Sequence, residues 1–358
     1  MGEKREIVCH YVGKGLNVSD AVAIAGIKKS TYYYRPNGRP KGKLPSTHTL
    51  KYDEGMVVND IVVEEIMNLI SPEYHDYGYK VSTALLKRKG YLINHKKVKR
   101  LMKDSNLLHP PMIKAEPLNK LFIKYTIPPL DGPFKTIEAD IKYVYIHGEN
   151  RNAFLLTFLC TFCRYAPVWE LQHSMCSVQI VALIKEFINH PVVKENINRK
   201  KIKVMIRTDN GPQFIAKILA SALDAIGLTH EFITPGTPQQ NGHIESFHST
   251  VTRLVCNRNI FNDLNHARNI FQEFYYAYNN TRVMKALLYY PPKQFLKLWE
   301  SGIIGIKKDK RNKEVFFFSE KPVPDPEPGS SHEDLFVVSK NNNFEIPVLN
   351  QLEISPVL

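Results

Sequence analysis

The chain has 358 residues, of which 43% are hydrophobic and 23% charged, so it is long enough for two or three domains with cores of their own. Lysine and arginine outnumber aspartate and glutamate by 48 to 35, and the net charge of +13 favours a polyanionic partner such as nucleic acid. No apolar run approaches the roughly 20 residues of a membrane-spanning helix, and the N-terminal residues lack the apolar core of a secretory signal. Five sparse cysteines are typical of a reducing compartment, so we expect a cytoplasmic protein without membrane spans.

Residues 1–35 are predicted to form a small helical unit. A helical pattern in "EKREIVCHYV" precedes "DAVAIAG", a turn at Gly26 and the basic-aromatic stretch "KKSTYYY", which is the order of a helix-turn-helix. Lys28, Lys29 and Ser30 are candidate DNA contacts, although a generic three-helix bundle would show the same pattern. Residues 36–55, rich in proline, glycine and lysine, are predicted to be a linker.

Residues 56–108 are predicted to form a second basic unit that is like a helix-turn-helix, with Asn94 capping its last helix. That helix carries four positive charges within five residues, on Lys96, Lys97, Lys99 and Arg100. These side chains fit contacts to DNA phosphates. The alternative is a basic face that is only solvated. Residues 109–133 are predicted to be another linker.

From residue 134 the hydrophobic period changes, and "KTIEADIKYVYIHGENRNAFLLTFLCTFCRYAPVWELQ" predicts three antiparallel strands in sequence. A helix, the strand "IKVMIR", another helix, the strand "THEFIT" and a further helix follow. This order predicts an α/β fold over residues 134–262, with a mixed sheet and flanking helices. We expect a helical region over 263–300 and an acidic, proline-rich tail over 301–358.

Cys160 and Cys163 form a C-x-x-C pair inside the apolar run. A redox pair or half of a zinc site would use this spacing, but no second pair at ligand spacing accompanies it. The surrounding residues favour two cysteines in the core of a strand.

Three acidic residues occur where chemistry is often found in α/β sheets. Asp140 lies in the first strand, and Asp209 follows the strand "IKVMIR" in the tight turn "TDNG". Glu245 lies in the helix that begins after "ITPGTPQQNG". Each alone is weak evidence, because a turn aspartate is usually a turn former and a helical glutamate is usually solvated. If the first and fourth strands are neighbours and the helix packs across their ends, the three carboxylates converge.

Converging carboxylates repel one another unless cations neutralise them. Hard oxygen ligands suit Mg²⁺ or Mn²⁺, and two such ions in one site can support phosphoryl transfer. A basic surface for the DNA backbone and an acidic centre for metals are therefore compatible in one protein.

The stretches "IEADIKYVYI", "RTDNGPQF", "TPGTPQQNGHIESFHS" and "YNNTRVMKALLYYPPKQF" resemble the integrase-like DDE transposases of bacterial insertion sequences, which are related to retroviral integrases. The 35 residues between Asp209 and Glu245 are part of this resemblance, which extends over about residues 5–300. The two basic helical units are similar to the pair that precedes the catalytic core in the insertion-sequence group whose transposase is made by frameshifting.

The resemblance implies an RNase H-like catalytic core in which Asp140, Asp209 and Glu245 are the catalytic residues and hold two Mg²⁺ or Mn²⁺ ions. It implies cleavage and strand transfer on duplex DNA, at element ends and in target DNA, without a membrane partner. It also suggests that 235–242 is a mobile loop near the DNA. Further DNA-contact candidates there and on the helix are Gln239, Gln240, Asn241 and Arg253.

The same resemblance suggests a homo-oligomer on DNA and a separate upstream-frame product as partner, so that this chain is the catalytic portion. The chain departs from the family pattern after Thr281, where "RVMKAL" replaces the usual Pro-His continuation. Two other functions remain open: a helix-turn-helix regulator that binds DNA without cutting it, and an RNase H-like nuclease of another kind. Strand-transfer products would distinguish a transposase from such a nuclease.

Overall fold

The computed structural model describes residues 2–34, 45–110, 130, 132–234 and 237–319. The chain divides into two compact units, Met1–Thr47 and His48–Leu358. Most of the predicted linkers, including residues 35–44 and 111–129, lie outside the described residues. Among the helices that are described, none is long and apolar enough to cross a membrane.

The first unit contains three helices, α1 (Gly2–Gly13), α2 (Val18–Ile24) and α3 (Lys29–Tyr33). Val8 from α1 packs with Ala21 and Val22 from α2 in a small core. Arg5 joins the first helix to the third, because its guanidinium donates hydrogen bonds of 2.7 and 3.0 Å to the carbonyls of Thr31 and Tyr32. The three helices predicted from the sequence are therefore present, in the predicted order.

The second unit begins with a small α/β domain. Its elements are β1 (His48–Lys51), β2 (Gly55–Val58), α4 (Asn59–Ile70), α5 (Tyr79–Arg88), β3 (Tyr91–Leu92) and α6 (His95–Asp104). The strands form a sheet in the order β2-β1-β3. The predicted linker therefore includes a hairpin over residues 48–58, whose four-residue strands are too short to show a clear hydrophobic alternation. Asn94 caps α6 as predicted, since its side chain accepts a 3.0 Å hydrogen bond from the Lys97 amide.

A larger α/β domain follows. Its elements are β4 (Thr136–Ile146), β5 (Arg151–Cys160), β6 (Val168–Gln172), α7 (Ser177–Asn189), α8 (Pro191–Lys200), β7 (Met205–Thr208), α9 (Lys217–Ile226), β8 (Thr229–Phe232), α10 (Gly242–Val251), a π-helical turn (Thr252–Cys256), α11 (Leu264–Asn280), α12 (Pro292–Glu300), β9 (Ile304–Lys308) and β10 (Glu314–Phe318).

Five of these strands form one mixed sheet in the order β6-β5-β4-β7-β8. β4, β5 and β6 pair antiparallel, whereas β4, β7 and β8 pair parallel. Both faces of the sheet are covered: Leu156 and Phe158 pack in one core with Phe187 of α7, and Leu155 packs in the other with Phe247 of α10 and Phe271 of α11. This arrangement confirms the RNase H-like mixed sheet with flanking helices.

The small domain packs against α11 and the loop that follows it. Tyr77 accepts a 2.8 Å hydrogen bond from the Val283 amide. Asp76, which is 7% exposed, lies 2.8 Å from the Arg282 guanidinium and also pairs with Arg253 of the π-helical turn. This buried ion-pair network joins the small domain to the segment that directly follows α10.

The structure differs from the prediction of an acidic tail over residues 301–358. Residues 304–318 form the β9–β10 hairpin, in which Phe316 packs edge-on against Phe162 at a ring-centroid separation of 5.0 Å. The turn of this hairpin is basic and exposed, with Lys310, Arg311 and Lys313. Apolar residues in "IGIKK" and the apolar run of "EVFFF" build the strands, and the acidic, proline-rich composition begins after them, outside the described residues.

Candidate active site

Asp140 on β4 and Asp209, the residue directly after β7, occupy related positions in a parallel pair of strands. The ladder pairs Thr136 with Met205 and Glu138 with Arg207, where it ends. The same register carried two residues further would bring Asp140 next to Asp209 at the edge where β7 ends, since adjacent strands are about 4.8 Å apart. Strand register therefore supports the first half of the predicted convergence, the approach of Asp140 to Asp209.

The turn after β7 holds Asp209 in place. One carboxylate oxygen, Oδ1, accepts a 3.0 Å hydrogen bond from the Gly211 amide, and the Asn210 side chain donates a 2.8 Å bond to the Ile233 carbonyl. A Cβ atom at Gly211 would lie 3.0 Å from Asp209 Oδ1, so glycine allows this close approach. Asn210 and Gly211, which form the tight turn with Asp209, therefore also fix the position of its carboxylate at the end of β7.

Helix α10 brings Glu245 to the same edge. His248 lies one helical turn after Glu245, and its Nδ1 is 3.4 Å from Asp140 Oδ2. Residues three apart share a helix face, so Glu245 lies on the side of α10 that meets Asp140. The carboxylate of Glu245 is exposed, whereas His248 is 9% exposed. A π-helical turn at Thr252–Cys256 continues α10 directly, and such turns are frequent at functional sites.

Two buried charged residues beside this edge were missed in the sequence. Glu138 on β4 is 2% exposed and Arg207 on β7 is 6% exposed, and the parallel ladder makes them partners. Burial raises the pKa of Glu138 to about 7, although the Ile244 amide and the Arg207 and Arg164 guanidinium groups act in the opposite direction. The sequence does show one acidic and one basic residue, each within an apolar strand, which could have marked both as buried. That they are partners follows only from the strand register.

His243 lies in the first turn of α10. Burial, together with the positive charges of Arg164 and Arg207, lowers its pKa to about 3. The imidazole is therefore neutral at physiological pH and does not add a positive charge beside the three carboxylates.

The oxygen-rich donor set fits a hard divalent cation, because Asp140, Asp209 and Glu245 come from three elements that meet at one edge. Among the described residues, however, no three acidic, histidine or cysteine side chains are already grouped as a metal site.

The candidate DNA contacts in the loop before α10 and just after that helix differ in exposure and in the partners of their side chains. Asn241 is 4% exposed, and Gln240 is half-buried, with its side chain accepting a 2.7 Å hydrogen bond from the Thr234 amide. Arg253 pairs with Asp76. Pro235, Gly236 and the side chain of Gln239 lie outside the described residues. Gln240 thus holds the loop itself, and the contact of these side chains with DNA remains a prediction.

The candidates in the two N-terminal helical units are more accessible. Lys28, Lys29 and Ser30 are exposed at the start of α3, as are Lys96 and Lys99 on α6. Lys97 instead donates a hydrogen bond to the His48 carbonyl at 2.5 Å, and burial lowers its pKa. Arg100 is half-buried. Of the four predicted basic contacts on α6, two are therefore exposed and two are half-buried.

Cys160 and Cys163 are fully buried in the core of the large domain. The Cys160 sulfur accepts a 3.2 Å hydrogen bond from the Phe134 amide. This position agrees with the prediction of two core cysteines.

Comparison with known protein families identifies two kinds of domain in the chain. Two profiles described as "Integrase core domain" match residues 131–238 and 226–292. A profile described as "HTH-like domain" matches residues 58–111, which contain α4, α5 and α6. The integrase core matches include Asp140, Asp209 and Glu245.

The chain is similar to proteins of bacterial insertion elements. It is 25% identical over 240 residues to an uncharacterized 31.7 kDa protein of insertion element IS407 from Burkholderia multivorans, covering 66% of this chain and 81% of that protein. It is 25% identical over 256 residues to the transposase for IS904 from Lactococcus lactis, covering 67% of this chain and 95% of the relative.

Among solved structures, the chain matches a chain of the simian T-cell lymphotropic virus intasome in complex with PP2A regulatory subunit B56 gamma, with 15% identity and a TM-score of 0.37, covering 64% of this chain and 74% of that chain. At this TM-score the structural likeness supports no functional assignment. The domain profiles and the insertion-element relatives agree with each other: residues 131–292 match integrase core domains, an HTH-like domain precedes them, and the chain is similar to proteins of insertion elements, including a transposase.

Proposed function

We propose that the chain is a DNA transposase that uses Asp140, Asp209 and Glu245 to cut DNA at the ends of an insertion sequence and to join those ends to target DNA. The observation that carries the proposal is the register of β4 against β7: carried two residues past the Glu138–Arg207 pair, it would bring Asp140 next to Asp209. The 3.4 Å approach of His248 to Asp140 supports a position near the same carboxylate for Glu245, one turn earlier on α10. The match to integrase core domains supports polynucleotidyl transfer as the reaction class.

In the proposed reaction, water attacks the phosphorus at the element's end, and the phosphodiester breaks to leave a 3′-hydroxyl. That hydroxyl then attacks a phosphodiester of the target strand and displaces the 3′-oxygen there. Two Mg²⁺ or Mn²⁺ ions, when bound, would activate the attacking oxygen and stabilise the leaving oxygen. The three carboxylates would hold these ions, His248 would orient Asp140, and the turn at Gly211 would orient Asp209.

Three kinds of contact would hold the DNA. We propose that α6, through Lys96 and Lys99, and the start of α3, through Lys28 and Lys29, neutralise backbone phosphates. The loop before α10 would lie near the strand that is cut. Joining two element ends requires two active sites, so we propose a homo-oligomer on DNA, together with an upstream-frame product that adds specificity for the ends.

The test is cleavage of labelled duplexes that carry candidate element ends, with the full chain and Mg²⁺ or Mn²⁺. Asp140→Ala, Asp209→Ala and Glu245→Ala should each lower the cleavage rate by at least about a thousandfold, because loss of one ligand removes metal-assisted stabilisation worth several kcal/mol. DNA affinity should stay within about twofold, because the basic surfaces that supply it are unchanged. Asp224→Ala, at an exposed position on α9, is the matched control and should cut normally.

Other outcomes favour the other functions. Cleavage without joined products would indicate a nuclease of another kind, and binding without cleavage in both metals would indicate a regulator. A variant of one of the three carboxylates that cuts at the wild-type rate would exclude that residue from the site.

A further inference from the structure

Glu138 is a buried carboxylate next to the candidate site but outside the proposed ligand set. It lies two residues before Asp140 on β4, so the two side chains project from the same face of the strand. Its carboxyl group is 2% exposed, and burying such a group is costly unless specific partners compensate. The partners of Glu138 therefore indicate its role.

The first partner is the start of α10. The first amides of a helix have no acceptor within the helix, and Asn241 at the N-cap position makes no side-chain capping bond. Glu138 Oε2 instead accepts a 2.7 Å hydrogen bond from the Ile244 amide. A side chain of the sheet thus caps the helix at the residue directly before Glu245.

The second partner is Arg207, the register partner of Glu138 on β7. Its Nη1 lies 3.8 Å from Glu138 Oε1 and donates a 3.1 Å hydrogen bond to the Gln240 carbonyl. Its Nε donates a 2.6 Å bond to Glu231 on β8, which fixes the guanidinium from the other side. Glu138 therefore holds the Ile244 amide at the start of α10, while Arg207 holds the Gln240 carbonyl just before the helix.

We propose that Glu138 and Arg207 are positioning residues that set the start of α10 against the ends of β4 and β7, so that Glu245 joins Asp140 and Asp209 around a divalent cation. This inference rests on the proposed function, because it assigns the two residues to that same site. The pair acts through backbone atoms of residues 240–244, and neither residue is a ligand.

Binding of Mn²⁺ alone to the full chain, measured by electron paramagnetic resonance of the free ion, gives the first test. Asp140→Ala defines the background of unrelated binding. Glu138→Ala and Arg207→Ala should weaken the site-specific binding by at least tenfold. Glu138→Gln keeps an oxygen acceptor for the Ile244 amide and should recover most of the affinity.

Loss of a buried charge can also act by destabilising the fold. Glu149→Ala is the matched control, because Glu149 likewise accepts an amide hydrogen bond at the start of a helix, from Leu264 of α11, and pairs with Arg151, but α11 carries none of the three carboxylates. It should lower stability and leave Mn²⁺ affinity unchanged. Equal loss of affinity in Glu149→Ala and Glu138→Ala would overturn the positioning role, as would wild-type affinity in Glu138→Ala.

Amide hydrogen exchange provides a readout without metal or DNA. In Glu138→Ala the amide of Ile244 should exchange at least tenfold faster than in the wild type, and in Glu138→Gln it should stay protected. Unchanged exchange in Glu138→Ala would overturn the proposal. If Mn²⁺ binding and exchange respond as expected but the wild-type chain cuts no DNA, the proposed function fails and the positioning role stands.

Discussion

His75 is a partly buried imidazole where the HTH-like domain contacts the integrase core. Its ring stacks on Tyr77 at a centroid distance of 4.9 Å, and its Nε2 lies 3.1 Å from the Thr281 hydroxyl. Burial, aided by the positive charge of Arg282, lowers the pKa of His75 to about 4. The folded protein therefore holds this histidine neutral at a pH where the unfolded chain would protonate it.

This difference predicts a loss of stability in mild acid. The unfolded state binds the extra proton below a pKa of about 6.5, so the contribution of His75 falls as pH decreases from 6.5 towards 4. Between pH 7.5 and 5 the wild type should lose about 1 kcal/mol more stability than His75→Gln, after discounting for partial exposure. Urea unfolding at both pH values measures this. His109→Gln, at an exposed position, is the control, and equal losses in all three proteins would contradict the prediction.

At the scale of elements, helix α6 presents a basic face in the HTH-like domain. Lys96, Lys99 and Lys103 are exposed on it, whereas Lys97 donates a hydrogen bond to the backbone of β1. The Lys99 ammonium also lies 5.5 Å from the centre of the Tyr79 ring on α5, which restrains its direction. The two exposed lysines predicted from the sequence, Lys96 and Lys99, are therefore candidates for two phosphate contacts.

Charge reversal at Lys96 and Lys99 tests this contact. Each phosphate contact contributes about 0.9 to the slope of log affinity against log salt, so Lys96→Glu with Lys99→Glu should reduce the slope of the full chain by about 2. Fluorescence anisotropy at several salt concentrations gives the slope. Lys185→Glu with Lys194→Glu, on α7 and α8, changes the net charge equally and is the control. The same slope in the α6 variant and the wild type would make this face a solvated one.

At the scale of the whole molecule, one integrase core has one candidate carboxylate set, while transposition has to join two element ends. We therefore expect at least two chains on a pair of end duplexes. Mass photometry of the protein with end duplexes should show this mass, and Asp140→Ala should assemble equally well, because assembly precedes chemistry. The upstream-frame product should increase the paired fraction. A complex that contains one chain and two ends would contradict the expectation.

The sequence determined the elements and the three candidate acids. Periodicity is local, so it located α6 with its cap at Asn94, the three antiparallel strands, and the helix that carries Glu245. Asp140, Asp209 and Glu245 were found because their positions relative to these elements, and the spacing of the last two, are sequence properties. The order of helices and strands likewise predicted the fold class without any coordinates.

The tertiary structure decided the register and the burial of individual side chains. Glu138 and Arg207 are 69 residues apart in the chain, and only the ladder between β4 and β7 makes them partners beneath α10. Arg253 was a candidate DNA contact from the sequence. Only the packing of the HTH-like domain shows that Asp76, distant in the chain, pairs with it. The physical reason is that periodicity reports which face of an element is apolar, whereas pairing and burial depend on segments far away in the chain, whose contacts form only when the whole domain packs.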